Sequence, residues 1–492
     1  MATTIEPLAP PAPGRTEAPV ATQALRRWFA GEVLAPGDTG YDAARRVWNP
    51  AVDQRPSLIA RCTTAADVAA AVRFAREHGL PATVRGGGHS FAGYGVRDGA
   101  VMIDLSPMKA VRVLGGRRTA AAQPGLTWGE LGRAAAACGL ATTGADISTV
   151  GIAGMTLGGG MGWLHRVCGA ACDNLLSAEL VTAGGEIVRA SADENPELFW
   201  GLRGGGGNFG IVTSLEYRLH PVDRIVGGIA IHPLERAREA IALYAGLCER
   251  APDELRLGLF LITAPPARFV PEALRGRPMV MFCAAWFGAH EHADRWLRPV
   301  KEFGPPIADL IRPMRYVKLE HHAPPDGLHH HGTGEFLRGL DAAAIDALAA
   351  AAEGTVSPFI IILLNQLGGA FARPAQETAF GFRHAAHTVG IHCMWEPGDS
   401  PARHVAWTDA LWRAVRHCSA GGAAINLQAD EGPERVRGAY APDAWSRLGT
   451  LKAEWDPDNF FRVNPNVPPA ATSQAPRAAR AQAEPVVISR CG

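Results

Sequence analysis

The sequence has no excess of charge of either sign, since 48 Lys and Arg residues balance 48 Asp and Glu residues. A neutral chain has no overall field to hold nucleic acid or an anionic membrane surface, so neither is expected as a partner. Long hydrophobic runs are also lacking. Nothing approaches the roughly 20 apolar residues of a membrane span, and residues 359–364 are typical of a buried strand instead. No repeat with the period of a solenoid is present.

Cysteine is sparse in this chain. Nine cysteines are scattered along 492 positions, and their number is odd. Secreted disulfide scaffolds are short, rich in cysteine and usually even-numbered, so the pattern indicates reduced thiols in the cytoplasm. Cys168 and Cys172 have no second pair nearby, which makes them a weak zinc signal.

Glycine, in contrast, is abundant: 56 of 492 residues, about 11%, against roughly 7% in average proteins. Three glycine runs stand at 85–90, 158–162 and 203–210. A single run is most simply a tight turn, but three so close together favour a long ligand that the backbone approaches closely. In the run 85–90, successive N–H groups without side chains can form an anion-binding nest.

The third run contains a G-x-G-x-x-G pattern at Gly205, Gly207 and Gly210. A Rossmann nucleotide site needs the order strand, glycine loop, helix, because the pyrophosphate sits on the helix N-terminus. Here a helix pattern at 194–202 precedes the glycines and a strand pattern at 211–217 follows them. The reversed order disfavours a Rossmann site.

Length and composition predict a large globular protein of two to four domains, with 47% hydrophobic residues for its core. Thr64 is a candidate cap for a helix that ends near residue 78. From about 222 to 426, long Ala-rich helices alternate with strands, which favours a separate lobe whose sheet is covered on one face. A further helix is predicted over 435–454, and residues 459–463 are expected to return to the first lobe. The Pro- and Ala-rich ends, 1–22 and 468–492, are typical of disordered segments.

The run Arg85-Gly-Gly-Gly-His-Ser90 resembles the flavin loop of the berberine-bridge-enzyme-like FAD-linked oxidases, within the vanillyl-alcohol-oxidase or PCMH type of FAD-binding proteins. Residues 157–163, Asp173-Asn174, 194–213 and 451–466 also resemble family motifs, so the similarity extends from about 25 to 467. It implies an α+β fold in two lobes. The PCMH-type FAD-binding domain would comprise 23–222 and the C-terminal segment 427–467, and a substrate domain at 223–426 would have an antiparallel sheet backed by helices.

The resemblance also implies the cofactor and its ligands. His89 matches the histidine that family members join covalently to the 8α-methyl group of FAD. Ile147 stands where some relatives have a second, cysteinyl link, so a single covalent bond is expected. Val150 matches a position where a small side chain suits reaction with O2, which favours an oxidase. The other residues that the resemblance assigns to FAD are Arg85, Gly86, Gly87, Gly88, Ser90, Gly93, Gly151, Gly154, Gly158, Gly159, Gly160, Gly162, Asp173, Asn174, Gly210, Val212, Asn464 and Asn466.

The chain departs from the family pattern at two places. Ala424 stands where the family commonly has a tyrosine near the flavin, so that hydroxyl is missing. In the strand pattern at 325–336, His330 and His331 replace aromatic residues of related proteins. Histidine titrates near neutral pH, which makes both residues candidates for the catalytic base. Because side chains alternate along a strand, only one of the two can face the flavin.

A metal site and an ordinary loop are the alternative interpretations of this histidine-rich stretch. His321, His322 and the run 329–331 place five imidazoles in eleven residues. No Asp, Glu or Cys joins them at a recognised ligand spacing, so no metal is expected.

The function that these features predict is an FAD-dependent oxidase. It would transfer a hydride from a small alcohol, amine or activated C–H compound, by analogy a secondary metabolite, to covalent FAD, and O2 would be reduced to H2O2. A cytoplasmic monomer or homodimer is expected. The alternatives are an oxidative cyclase or oxygenating flavoenzyme, a flavin-binding protein without activity, and a metal-assisted function of the histidines.

Overall fold

The computed structural model of the protein describes residues 23, 25–264, 270–319 and 327–471. The predicted N-terminal segment 1–22, the tail from residue 472 onward, and His321 and His322 lie outside the described residues. Within these ranges no helix combines the length and the apolar character needed to cross a membrane. The α-helices are Tyr41–Ala44, Ala65–Glu77, Trp128–Ala136, Ile152–Leu157, His165–Cys168, Pro196–Leu202, Ala237–Arg250, Ala293–Lys301, Ala342–Glu353, Pro401–Val415, Pro433–Arg437 and Pro442–Trp455.

Two sheets form the first lobe. The strands of the small sheet, in spatial order, are Glu32–Leu34, Leu58–Arg61, Val101–Asp104 and Ala82–Arg85. Those of the five-stranded sheet are Val111–Leu114, Thr119–Ala122, Ile211–Arg218, Leu175–Val181 and Ile187–Ser191. A short pair, Leu140–Ala141 and His220–Pro221, lies beside them. Helix Ala65–Glu77 has the predicted start: Thr64 accepts from the Asp67 amide in a capping box.

The large sheet builds the second lobe. Its main path of seven strands is antiparallel, and Arg312–Arg315 pairs with strand Arg224–Pro233. In spatial order these strands are Ala308–Asp309, Arg224–Pro233, Pro278–Trp286, Leu255–Thr263, Phe359–Gln366, His387–Trp395 and His329–Leu337. Helices pack on one face, because the alternate residues Leu257, Leu259 and Leu261 share a core with helix side chains such as Ile241 and Leu348. The predicted α+β class, with an antiparallel sheet backed by helices, is confirmed.

The single helix predicted over 435–454 is wrong, because the chain forms two helices there, Pro433–Arg437 and Pro442–Trp455. Pro442 explains the break: it cannot donate a helical hydrogen bond, and it disfavours a helical conformation in Ala441. A proline at the first position of a helix is well tolerated, so the second helix begins there.

The end of the described chain packs against the first lobe. Phe461 shares a core with Val72 and Ile103 of that lobe. The Nζ of Lys452 donates to the carbonyl oxygens of Asn208, at 2.8 Å, and Phe461, at 2.9 Å. Residues 459–463 therefore return to the first lobe as expected; the exact domain boundaries stay a prediction.

Candidate active site

The three glycine runs meet in the folded chain. Gly87 in the first run lies against Gly151, the residue before helix Ile152–Leu157, so closely that neither position has room for a side chain. At the other end of this helix, the Leu157 carbonyl accepts from the amides of Gly204 and Gly206, at 3.0 and 2.9 Å. Helix Ile152–Leu157 thus links the first and third runs, and the second run follows directly at its end.

The C-terminal segment joins this surface. The side-chain amide of Asn464 donates to the carbonyl of Gly207 at 3.1 Å, and the amide of Val467 donates to Oδ1 of Asn208 at 3.0 Å. Asn426 adds a further contact, since its side chain lies against Gly158 and donates to the carbonyl of Met155. Asn464 and Val467 therefore fasten the C-terminal segment to the third glycine run, and Asn426 packs on the second.

A cleft beside these asparagines is suited to a bound cofactor. Oδ1 of Asn464 and Oδ1 of Asn466 are buried and accept no hydrogen bond from the described residues. Both residues line a cleft of about 480 Å³, within the range of small-molecule sites. Buried polar atoms normally have partners, so two unpartnered acceptors at a cleft indicate a ligand that donates to them. The residues present therefore fit a polar, extended cofactor such as FAD.

Some predicted FAD residues are engaged within the chain. Asp173 forms an ion pair with Arg383 at 2.6 Å. Asn174 is buried and donates to the carbonyls of Cys168 and Ala170. Arg85 donates to the Ala44 carbonyl at 2.9 Å. These side chains have partners without a cofactor, and their assignment to FAD stays a prediction.

Several predicted glycines allow close packing of the backbone. Gly160 lies against Ala171, Gly162 against the Gly144 carbonyl, and Gly210 against Leu180. Val212 is buried in the five-stranded sheet, where it pairs with Leu180. Gly154 lies inside helix Ile152–Leu157, with open space beside its Cα. The remaining predicted positions lie in the loops themselves: Gly86 near Pro124, Gly88 and Gly93 with positive φ, Ser90 accepting from the Tyr94 amide, and Gly159 against Phe380.

His89 is stacked on Trp48. The two ring centroids are 5.3 Å apart and the interplanar angle is 17°. The Trp48 amide also donates to the Gly88 carbonyl at 3.0 Å, so the tryptophan holds both the backbone and the side chain of the loop. Sequence reasoning missed Trp48, because it stands outside every glycine motif and 41 positions before His89.

Trp48 also contacts the candidate base on the large sheet. Its ring meets the ring of His330 edge-on, with centroids 5.0 Å apart. The neighbouring Asn49 exchanges two hydrogen bonds with the backbone of His330, at 3.0 and 3.2 Å. The short segment Trp48-Asn49 therefore connects the His89 loop directly to strand His329–Leu337.

The structure separates the two candidate bases. His330 is buried on the side of Trp48, and burial lowers its pKa well below the ordinary value for histidine. His331 points to the opposite face, where its Nε2 is 3.7 Å from Oδ1 of Asp409 on helix Pro401–Val415. Of the two residues, only His330 lies next to the His89 loop. The alternation expected for a strand is confirmed.

His392 stands beside His330, and sequence reasoning did not select it. Nε2 of His330 and Nδ1 of His392 are 3.2 Å apart. Burial lowers the pKa of His392 to about 4. Phe91, two residues after His89, contacts both imidazoles, with centroid distances of 4.7 and 5.2 Å. No sequence signal could have identified this pair, because strand pairing alone brings residues 330 and 392 together.

The departures noted in the sequence have clear positions. Ala424 is buried in an apolar cluster with Phe336 and Phe380. Ile147 and Val150 are half-buried in the loop that leads to Gly151. This loop faces the glycine run before His89, which is consistent with both residues being near a bound flavin.

Comparisons with known proteins agree with this geometry. Residues 56–191 match the family model of the FAD binding domain, and residues 425–468 match the model described as berberine and berberine like. The chain is 32% identical over 455 residues to (R)-6-hydroxynicotine oxidase of Paenarthrobacter nicotinovorans, which covers 89% of this chain and 97% of that relative. It is 29% identical over 433 residues to an FAD-linked oxidoreductase of Dictyostelium discoideum, covering 86% and 91% of the two chains.

Solved structures show the same similarity. The crystal structure of 6-hydroxy-D-nicotine oxidase from Arthrobacter nicotinovorans has a TM-score of 0.80 and 29% identity, with 89% of this chain and 98% of that chain covered. A chitooligosaccharide oxidase has a TM-score of 0.80 at 22% identity, with 92% of this chain and all of the other covered. The second likeness concerns the fold alone.

Proposed function

Because the chain belongs to the berberine-bridge-enzyme-like FAD-linked oxidoreductases, we propose that it is an oxidase with FAD attached through His89. It removes a hydride from a small organic substrate, an alcohol, an amine or an activated C–H compound. O2 is the final acceptor and leaves as H2O2. The substrate loses one hydride and one proton, and O2 gains the same two electrons and two protons.

The placement of His89 is the observation that carries this proposal. The residue ends the glycine loop that lies against Gly151, and Trp48 holds its ring by stacking. FAD, when bound, supplies the two-electron acceptor of the reaction. A fixed imidazole next to a backbone cradle is well placed to form one covalent bond to that cofactor. Ile147 has no thiol, so a second bond is not expected.

His330 is the proposed base. It lies on the flavin-loop side of the sheet, in contact with Trp48, and Nδ1 of its ring is buried without a hydrogen-bond partner among the described residues. Burial lowers the pKa of the ring, so the imidazole is neutral and its unpartnered Nδ1 can accept a hydrogen bond from the substrate. In our proposal it receives the proton of the substrate O–H or N–H group.

Val150 is proposed to leave O2 a path to the flavin, and a secondary metabolite is the proposed class of substrate. The curated relative named above is an oxidase of 6-hydroxynicotine, an amine on a hydroxylated ring, which suits this choice. A cytoplasmic location, suggested by the scattered cysteines, and a monomeric or homodimeric state complete the proposal.

One observation favours a second candidate function. The apolar surroundings of Ala424 lack the hydroxyl common in the family, and a changed base could accompany oxidative cyclisation or oxygen insertion. The yield of H2O2 per product identifies oxygen insertion, which consumes O2 and releases no H2O2. An oxidative cyclisation gives one H2O2 per product, as a simple oxidation does, and is recognised by the new ring in its product.

The proposal is tested by acid precipitation of the purified protein. We expect the yellow flavin to stay in the pellet of the wild type and to be released from His89→Ala, with His78→Ala as the matched control on an exposed histidine. Flavin in the wild-type supernatant would contradict the covalent bond. A full flavin content without reduction by any substrate in a broad panel would instead favour a binding protein without activity.

A further inference from the structure

His330 and His392 form a pair of imidazoles on the face of the large sheet that looks away from the helices. The hydrogen bond between them joins Nε2 of His330 to Nδ1 of His392. The rings are 5.3 Å apart and are inclined by 30°. Two ring nitrogens remain for another molecule: Nδ1 of His330, which is buried without a described partner, and Nε2 of His392.

Two glycines make room for this pair. A Cβ atom added at Gly332 would lie 2.5 Å from Nδ1 of His392 and 2.9 Å from Cε1 of His330. One added at Gly390 would lie 2.9 Å from Nε2 of His392. Both imidazoles therefore lie over positions that have no side chain, and any larger residue at 332 would push them apart.

The rest of this face is apolar near the pair. In the pairing register Ile361 is directly opposite His392, and Leu363 is opposite Gly390. Both residues are half-buried, as is Phe260, the neighbour of Leu363 on the next strand. These three side chains provide an apolar floor beside the imidazoles.

The charge nearest this floor lies at its Phe260 end, away from the histidines. Among the described residues of strand Leu255–Thr263, the charged side chain on this face is Arg256. Ile262 pairs with Ile361, which is opposite His392, so Ile262 marks the level of the histidines on this strand. Arg256 is six residues from Ile262, a distance of about 20 Å along the strand. Arg256 is also already paired, with Asp146 at 3.0 Å. Its Nε and Nη1 are buried without a hydrogen-bond partner among the described residues, and Nη1 lies over Gly258, so an anionic group could bind at that end of the face but not beside the histidines.

We propose that His392 contacts the substrate together with His330, and that this face selects a flat, uncharged, largely apolar molecule with one hydroxyl or un-ionised amine. The inference rests on the oxidase function proposed above and names its substrate class. An oligosaccharide, with hydroxyl groups all around each ring, would leave most of them unpaired on Ile361, Leu363 and Phe260. A carboxylate placed beside the two imidazoles would be buried without a cationic partner.

The chemistry of the pair supports this choice in either tautomer. Two neutral imidazoles carry two N–H groups, and one of these is used between the rings. The outer nitrogens therefore present one donor and one acceptor, which matches a single hydroxyl or amine. Burial lowers the pKa of both rings, and the groups packed on them (Trp48, Asn49 and Phe91) carry no charge, while His331 lies on the opposite face.

Calorimetric titration of the purified full-length protein tests the proposed class with three probes. They are 4-methoxybenzyl alcohol, its analogue 4-(hydroxymethyl)benzoate, which adds a carboxylate, and cellobiose. We expect the alcohol to bind at least about tenfold more tightly than either of the others, because burying an unpaired charge or several unpaired hydroxyls is costly. Equal or tighter binding of the benzoate or of cellobiose, or no binding of the alcohol, would overturn the proposed class.

Two variants test the pair itself. Gly332→Ala keeps both imidazoles but forces them apart, and His392→Leu removes one of them. Each is expected to weaken binding of the alcohol roughly three- to tenfold, the value of a lost neutral hydrogen bond, and to reduce the preference over cellobiose. Gly339→Ala is the matched control, since a Cβ there meets no atom within 4 Å. Wild-type preference in both variants would exclude the pair from the site.

Carried out without O2 on protein whose flavin has first been reduced with dithionite, the titration measures binding without turnover, so the two proposals can fail separately. Selective binding of the alcohol without H2O2 from any substrate would leave the class standing and remove the oxidase function. Production of H2O2 from cellobiose, unchanged in His392→Leu, would retain the oxidase and overturn the class.

Discussion

A Cβ atom built on Gly87 would lie 2.4 Å from the backbone nitrogen of Gly151, and one built on Gly151 would lie 2.5 Å from that of Gly87. These two glycines come from different loops, one leading to His89 and one leading into helix Ile152–Leu157. Their contact sets the separation of the two loops that are expected to surround the cofactor.

Replacing Gly151 by alanine should therefore lower both stability and flavin content. The new methyl group meets backbone atoms, which cannot rotate away as a side chain can, and such overpacking costs about 1–3 kcal/mol. Thermal unfolding and the ratio of flavin to protein absorbance measure the two effects. Gly116→Ala is the control, because a Cβ there meets no atom within 4 Å. Wild-type flavin content in Gly151→Ala would show that the loops can separate without consequence.

Val150 provides a test of access for O2. Enlarging it to leucine should slow reoxidation of the reduced flavin by O2, while the rate of reduction by substrate without O2 stays the same. Stopped-flow absorbance measures the two half-reactions separately. Val188→Leu, at a half-buried position of the five-stranded sheet, controls for a general effect of the larger side chain. Slowing of both half-reactions alike in Val150→Leu would contradict a role in oxygen access.

The ion pair of Lys452 and Asp456 should be important for stability. The two side chains are fully buried, with Nζ and Oδ2 at 2.6 Å, and the ammonium also donates to two carbonyls. Removing one partner leaves the other charge buried alone, so Lys452→Met should cost about 3–5 kcal/mol in the free energy of unfolding. Denaturant titration measures this cost. Lys109→Met, which breaks an exposed pair with Glu130, should cost less than about 1 kcal/mol; equal costs would contradict the prediction.

Acid should weaken the fold through buried histidines such as His387. Burial lowers its pKa to about 4, below about 6.5 in an unfolded chain. Between these values the unfolded chain binds a proton that the folded protein does not, so stability falls as the pH falls from about 6.5 to 4. One such group lowers the free energy of unfolding by up to about 1.4 kcal/mol for each unit by which the pH falls in this range.

Stability measured by denaturant titration at several pH values tests this histidine. His387→Asn removes the titrating ring, so the slope between pH 6.5 and 4 should become shallower by up to about 1.4 kcal/mol per pH unit. His417→Asn should leave this slope unchanged, because Asp341 raises the pKa of His417 in the folded protein and this residue therefore affects the pH dependence only above about pH 6.5. An unchanged slope in His387→Asn would show that its ring is charged or solvated in the folded state.

Local features of the fold could be predicted well. Thr64 and Asp67 predicted a helix start, because a capping box involves residues only three positions apart. The alternation of His330 and His331 followed from the geometry of any strand. The break at Pro442 was missed although proline signals it, because an Ala- and Arg-rich pattern on both sides resembles one continuous helix.

The candidate site was predicted only in part for a different reason. The glycine loops are contiguous motifs, and their chemistry lies in the backbone, so the sequence displays them directly. Trp48 and His392 belong to no motif. Each belongs to the site only through a contact with a residue far away in the chain. The separation is large: Asn49, next to Trp48, bonds to His330, which is 281 positions later.

The sequence by itself thus determined the family, the flavin loops, the absence of a hydroxyl at Ala424 and the presence of histidines in the substrate lobe, since each depends on residue type or short spacing. Only the tertiary structure decided which histidine faces the His89 loop, which ring is stacked on His89 and which second imidazole completes the pair. The register of strands His329–Leu337 and His387–Trp395 places Gly332 opposite His392. That register depends on burying one face of the sheet under its helices, which is a property of the whole lobe and of no single segment.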